Sequence, residues 1–313
     1  MFIYRINQKD EITITGYNGS DTEVVIPSKI DGMPVINIEY EAFSHCSKIT
    51  NITIPNTIKS VGNRAFWKCD NLTNIIIPDS VTYLGDGAFK DCRKLVSIKL
   101  SNNITSLSDC VFEGCNNLSS ITIPNGITSI GFEAFENCNC LTDIMIPSSV
   151  VEIKDYSFHN CSNLVNVTIP NTVVNIGVGA FSNCGKLKSI FIPDRVTEIK
   201  ENTFYNCNNL MSVTGGKNVT KIGYSAFSGC RKLASVELGD NVTEIGDYAF
   251  YDCDNLVDIM IPDTTTKIGE VTFYGCANLK DIYYKGTKEQ WQKITIGIRN
   301  FVLNNETKHF ENT

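Results

Sequence analysis

Histidine is scarce in this 313-residue chain, and its three copies, His45, His159 and His309, stand too far apart to read as metal ligands. No His-x-x-x-His or Cys-x-x-Cys spacing occurs, which excludes the usual zinc frameworks. A glycine-rich phosphate loop and a Gly-x-Ser-x-Gly elbow are also missing, so the common nucleotide-binding and hydrolase readings have no support. Clusters of Lys and Arg are absent. With a net charge of −7 and a pI near 5.1, neither a nucleic-acid backbone nor an anionic lipid surface is the expected partner. No stretch approaches the roughly 18 apolar residues of a membrane helix. The start, Met1 to Asn7, has no basic segment followed by a long apolar run, so it does not read as a secretory leader.

What the chain has is a period. Eleven phenylalanines stand 23 residues apart, from Phe43, Phe66 and Phe89 to Phe250 and Phe273, and a cysteine follows each three residues later, Cys46 through Cys276. A fixed period of this length marks a solenoid, in which each repeat is one coil stacked on the last. Residues 72–92 serve as a specimen. Leu72, Ile75 and Ile77 give L-x-x-I-x-I, whose end alternates as a half-buried strand does. Pro78 cannot donate to a ladder and stops the strand. Val81 and Leu84 form a second short extended segment, Gly85 turns the chain, and Ala88, Phe89 and Cys92 fit a single helical turn. Eight inward side chains per coil cannot offset the entropy of ordering 23 residues, so a coil needs neighbours.

The cysteine ladder is not a disulfide pattern. Equivalent residues in adjacent coils lie about 4.8 Å apart with parallel Cα–Cβ bonds, whereas a disulfide wants Cβ atoms about 3.5–4.5 Å apart. The eleven ladder cysteines therefore read as buried free thiols acting as small hydrophobes. Cys110 and Cys140 fall off the ladder and are expected to be exposed and the more reactive thiols.

The elements L-x-x-I-x-I-P, V-T-x-I-G and A-F-x-x-C-x-x-L, all carried by residues such as Ile123, Pro124, Ile130, Gly131, Ala134, Phe135 and Cys138, resemble the BspA-like leucine-rich repeats of bacterial and protist proteins. The resemblance spans about residues 24–285, and residues 25–35 resemble that family's entry coil with its five extra residues. It implies a β-rich, right-handed leucine-rich repeat solenoid of about 11–12 coils, with a parallel sheet on the concave side and short extended or helical turns on the convex side. Residues 1–24 read as a β-hairpin cap, 25–285 as the solenoid and 286–313 as a C-terminal cap. In that last cap, Thr287 to Gln290 has capping-box spacing for a short helix placing Trp291 over the last coil. A strand is expected between Ile296 and Leu303, and the final ten residues are expected to fray.

The candidate binding surface is the outward residue between the two Ile positions of each strand. It reads Thr53, Ile76, Lys99, Thr122, Met145, Thr168, Phe191, Thr214, Glu237, Met260 and Tyr283, and it changes at nearly every step while the inward positions barely vary. Met145, Phe191, Met260 and Tyr283 are apolar groups on a face that should be wet, as binding anchors are. Thr122, Thr168 and Glu237 complete the set put forward as protein-binding. The position before each first Ile is small and polar, from Asn51 and Asn74 to Asp258 and Asp281, which favours side-chain hydrogen bonding along the stack. Asp258 and Asp281 fall on neighbouring rungs and read as solvated carboxylates rather than a calcium site or an acid pair. Two coils depart from the pattern. Thr214, Gly215 and Gly216 replace an Ile-Pro element and predict a notch, while Ser101, Ser108 and Val111 read as drift.

No catalytic residue, cofactor or metal is expected, and the resemblance carries none over. It implies a protein ligand, with cell-surface adhesion or host and matrix binding as the function and the cell surface or a secreted state as the location. The alternative is a structural or assembly scaffold acting through its ends or edges, in the cytoplasm, where reduced thiols are at home.

Overall fold

A run of strands three or four residues long cannot bury both ends of its side chains alone, and the chain solves this by stacking. The computed structural model describes residues 1–237, 239–305 and 307–311. They form a parallel β-solenoid of about 13 turns with almost no helix. The inward position at Leu238 and the tail residues Asn312 and Thr313 lie outside the described residues. Two compact units are present, Met1–Val150 and Val151–Thr313.

In the first unit Phe2–Ile6 and Ile12–Tyr17 pair antiparallel, and the second of these strands then pairs in parallel with Met33–Ile38. The five extra residues of the entry coil allow Lys29–Ile30 to fold back on Met33–Ile38. One parallel sheet runs through Glu23–Val25, Asn51–Thr53, Asn74–Ile76, Ser97–Lys99 and Ser120–Ile121. In the second unit Ser189–Ile192, Ser212–Gly215 and Ser235–Val236 pair in parallel, as do Asp258–Ile261, Asp281–Tyr284 and Thr307–Phe310. A second column of two-residue strands runs from Glu198–Ile199 through Lys267–Ile268 to Thr295–Ile296.

The C-terminal segment departs from expectation. Thr307–Phe310 is a strand hydrogen-bonded to Asp281–Tyr284, not a frayed tail, and only Thr295–Ile296 is extended in the stretch before it. Val302–Asn305 is helical where a strand was expected. The reason is that Thr295–Ile296 and Thr307–Phe310 each continue one of the two strand columns, so the chain adds a further turn whose spacing no longer follows the 23-residue period. The short helix Lys288–Trp291 opens with a capping box between Thr287 and Gln290 and buries Trp291 against Tyr284, ring centroids 5.3 Å apart.

The phenylalanine segment is not a helical turn either. Gly87 and Asp91 have φ of 58° and 59°, and the equivalent positions two before and two after other phenylalanines are left-handed as well, as at Arg64, Lys68, Asn183 and Asn206. Alternate amides then point in different directions. Ala88, Lys90 and Cys92 donate to the carbonyl three residues back, while Gly87, Phe89 and Asp91 donate to Asp109, Val111 and Glu113 of the next coil at 2.8, 3.0 and 2.7 Å. A helix would spend every amide within its own coil, whereas successive tight turns leave every second one to bind the coils together.

Inside the stack the phenylalanine rings pile face to face. Phe66 and Phe89 lie 5.2 Å apart at 5°, and Phe158 and Phe181 lie 5.3 Å apart at 1°, all fully buried. The buried cysteines do more than fill space. Their thiols donate to the carbonyl of the phenylalanine one coil back, as Cys69 does to Phe43, Cys92 to Phe66 and Cys207 to Phe181, at 3.1 Å in these three. Ser101 and Ser108 do the same kind of work: their hydroxyls donate to the carbonyls of Val81 and Leu84, so these substitutions are hydrogen-bonded replacements rather than drift. At the other irregular coil Gly215 takes a φ of 90°, and an added Cβ would sit 2.3 Å from the Ile192 carbonyl oxygen, which explains the loss of the inward side chain there.

Candidate interaction face

Parallel pairing in register sorts the strand side chains. Ile75 and Ile98 face inward and are buried, while Ile76 and Lys99 stand side by side on the outer face. The backbone here is taken up by the ladder, so the outward side chains are what a ligand would meet. In the first unit Thr53, Ile76, Lys99, Thr122 and Met145 are all exposed. Met145 is 75% exposed and Ile76 is 62% exposed, which are large fractions for apolar side chains. An open groove of about 630 Å³ runs across this face, lined by Thr53, Asn74, Ile76, Asp79 and Lys99 among others. Val25 continues the column, paired with Thr53 and also exposed. Sequence reasoning missed it because no ladder phenylalanine precedes it and five extra residues separate its strand from Phe43, although the Val-Val-Ile-Pro run marks the same strand.

In the second unit Thr168, Phe191, Glu237 and Met260 are exposed, Phe191 by 45%. Phe191 pairs with Thr214, and Met260 with Tyr283. Tyr283 is the exception in the set. Its ring is stacked on that of His309, with centroids 4.7 Å apart at 17°, and it is only half-exposed. His309 also pairs with Asp281 at 2.8 Å. Asp281 is the register partner of Asp258, so one carboxylate of this neighbouring pair is hydrogen-bonded to an imidazole rather than free. In the small polar column, Ser97 Oγ donates to Asn74 Oδ1 at 2.6 Å, the stack-wise bonding expected there.

The two cysteines off the ladder differ. Cys140 is exposed, but Cys110 is half-buried, and burial together with the Glu113 carboxylate pushes its thiol up to about 12. Cys110 is therefore not the reactive thiol its position suggested. It sits at a left-handed turn position, facing Glu133 at 3.6 Å. Cys110, Glu113 and Glu133 form the one group of metal-ligand types found among the described residues, and Lys90 pairs with Glu113 there.

Glu136 shares this cluster. Burial, then Glu133 and Glu113, raise its carboxyl from 4.5 to about 7, with Lys90 opposing. A carboxyl whose folded pKa is raised holds its proton more tightly when folded, so its contribution is intact below about pH 4.5 and is lost as pH climbs through about 7. Because the group is half-exposed, the loss is on the order of 1–2 kcal/mol. Glu136→Gln is expected to remove that part of the pH dependence and to stabilise the protein at pH 8 relative to pH 5. Urea midpoints of both proteins at the two pH values measure it, and equal pH slopes would refute it.

The stacked coils and the outward strand column define a leucine-rich repeat solenoid. The chain belongs to the BspA-type leucine-rich repeat family: the BspA type Leucine rich repeat region (6 copies) matches residues 17–140, 86–211, 128–256 and 197–311. That family is a repeat scaffold, generally for protein interaction and typically non-enzymatic. Among solved structures, a leucine rich cell surface protein from Faecalibacterium prausnitzii is 27% identical, with a TM-score of 0.59 over 93% of this chain and 95% of its own. A leucine-rich repeat protein from Bacteroides ovatus shares the fold at 24% identity and a TM-score of 0.53, covering 99% of this chain and 98% of its own. The pneumococcal vaccine antigen PcpA shares it at 16% identity and a TM-score of 0.50, over 100% of this chain and 86% of its own. No curated protein matches the chain. Among the described residues no helix is long and apolar enough to cross a membrane.

Proposed function

We propose that this protein is a surface-displayed adhesive module that binds a protein ligand through its outward strand column. The contacts are Thr122 and Met145, joined by Ile76, in the first unit, and Thr168, Phe191, Glu237 and Met260 in the second. Residues 1–24 and 286–313 act as caps that close the ends of the stack. The observation that carries the reading is the set of apolar side chains standing in solvent on the outward strand positions of each unit, Met145 and Ile76 of the first foremost. Single exposed hydrophobes are ordinary, but a column of them on a face whose neighbours change at every step is what a tuned binding surface needs. The likeness to a cell surface protein supports the location.

The test is binding to a panel of immobilised extracellular-matrix proteins and to intact epithelial cells. Ile76→Ala with Met145→Ala, and separately Phe191→Ala with Met260→Ala, are expected to weaken binding about tenfold or more at unchanged melting temperature. The reading fails if both pairs of substitutions leave every measurable interaction intact.

A further inference from the structure

The turn side of the second unit carries a different surface. Tyr224, Tyr248, Tyr251 and Tyr274 form a connected run of rings, with centroids 5.6, 5.9 and 5.7 Å apart from one to the next. Tyr224 and Tyr274 are 47% and 49% exposed, which is high for a phenol ring packed on its neighbours. The turn backbone repeats here from coil to coil. Gly229 donates to the Tyr251 carbonyl and Asp252 to the Tyr274 carbonyl, at 2.8 and 2.9 Å, so Tyr251 and Tyr274 hold equivalent places one coil apart. Carboxylates stand among the rings. Asp247 and Glu270 are exposed in the same column as Tyr224, and Asp252 follows Tyr251.

The first unit shows how this scaffold treats an aromatic at the same turn position. Trp67 stands in the column of Tyr251 and Tyr274, and two cations of its own chain lie over its ring, Arg64 at 5.3 Å and Lys68 at 4.6 Å. The positions of Arg64 and Lys68 are taken by Tyr248 and Asp252 in the Tyr251 coil, and by Val271 and Gly275 in the Tyr274 coil. At Trp67 the cations that meet the ring belong to the same coil as the ring. The second unit thus presents the aromatic half of a cation–aromatic pair, with an acidic group, Asp252, at one of the places the internal cations hold.

We propose that this tyrosine face is a second docking surface, which takes an extended, arginine-rich segment of a partner protein. Guanidinium groups stack on the exposed rings and pair with Glu270 and the neighbouring carboxylates. Arginine fits better than lysine because its plane lies flat on a ring while its edge donates to a carboxylate. The site is separate from the strand column and does not depend on what that column binds.

The test uses an octa-arginine peptide against an octa-lysine peptide of equal charge, followed by tyrosine fluorescence and calorimetry at two salt concentrations. Octa-arginine is expected to bind several-fold tighter than octa-lysine. Tyr224→Ala, Tyr251→Ala and Tyr274→Ala together are expected to lower octa-arginine affinity about tenfold or more and to abolish the preference for arginine. Glu270→Gln should weaken binding and reduce its salt dependence while leaving the preference for arginine in place. Phe191→Ala with Met260→Ala should change nothing. Equal binding of the two peptides, or a triple variant within twofold of the parent, overturns the proposal, since general attraction to an acidic protein would then suffice. Tighter binding of a neutral oligosaccharide than of octa-arginine to the same rings would also overturn it. Circular dichroism of the triple variant keeps loss of fold distinct from loss of site.

Discussion

Replacing Phe89 with alanine is expected to lower the free energy of unfolding by about 3–5 kcal/mol. The ring is fully buried and stacked on both sides, 5.2 Å from Phe66 and 6.0 Å from Phe112. Its loss removes contacts at two inter-coil interfaces at once, and neighbouring coils cannot collapse into the gap without breaking the amide ladder on either side. Because each coil in a solenoid touches only its neighbours, the damage should be local. The two tryptophans give a way to see this, since Trp67 lies one coil away and Trp291 lies near the C-terminus. In urea, the Trp67 signal is expected to move to lower denaturant by more than the Trp291 signal. Unchanged midpoints at both would mean that the ring is not part of the core.

Cys207→Arg should be still more damaging. The Cys207 thiol is fully buried and burial holds its pKa up to about 12, so it stays protonated and donates to the Phe181 carbonyl at 3.1 Å. An arginine at that place would bury a charge with no partner, a cost of several kcal/mol, enough to open the coil. Cys207→Ser is the informative control. A hydroxyl can still donate to the same carbonyl, so the cost should stay near 1–2 kcal/mol. Thermal melts of the two variants separate the cases. An arginine variant that melts like the parent would show that the ladder does not point inward.

These two residues also mark what the sequence made legible. A 23-residue period in Phe and Cys identifies the stack, and each L-x-x-I-x-I element gives the strand and its inward face, because period-two alternation leaves no other arrangement. The turn geometry was harder to read. Left-handed backbone at Asn183, Asn206 and Asp252 is written as Asn or Asp two residues after the phenylalanine, but Lys68 and Arg64 take the same conformation and hide the rule. The thiols read as small hydrophobes in the sequence because their acceptor lies 26 residues back in the chain, beyond any local pattern.

Of the candidate surface, the column itself was legible and its exposure was not. Tyr283 lost much of its face to His309, which arrives on a strand whose spacing escapes the repeat. Val25 gained a place in the column because parallel pairing with Asn51–Thr53 extends it by one coil. Cys110 was misjudged for a related reason: Glu113 and Glu133 close over it from the same coil and the next.

The most direct test of the adhesive reading is site-specific photo-crosslinking on intact epithelial cells. A photoreactive residue is placed at position 145 or 191 on the strand column, and at position 159 on a turn as the comparison. Crosslinks to a protein of the cell surface from positions 145 and 191, in excess over position 159 and suppressed by unlabelled protein, are the expected result. Crosslinking that is absent from both column positions while the labelled protein still binds the cells would contradict it, and would move the binding site off the strand face.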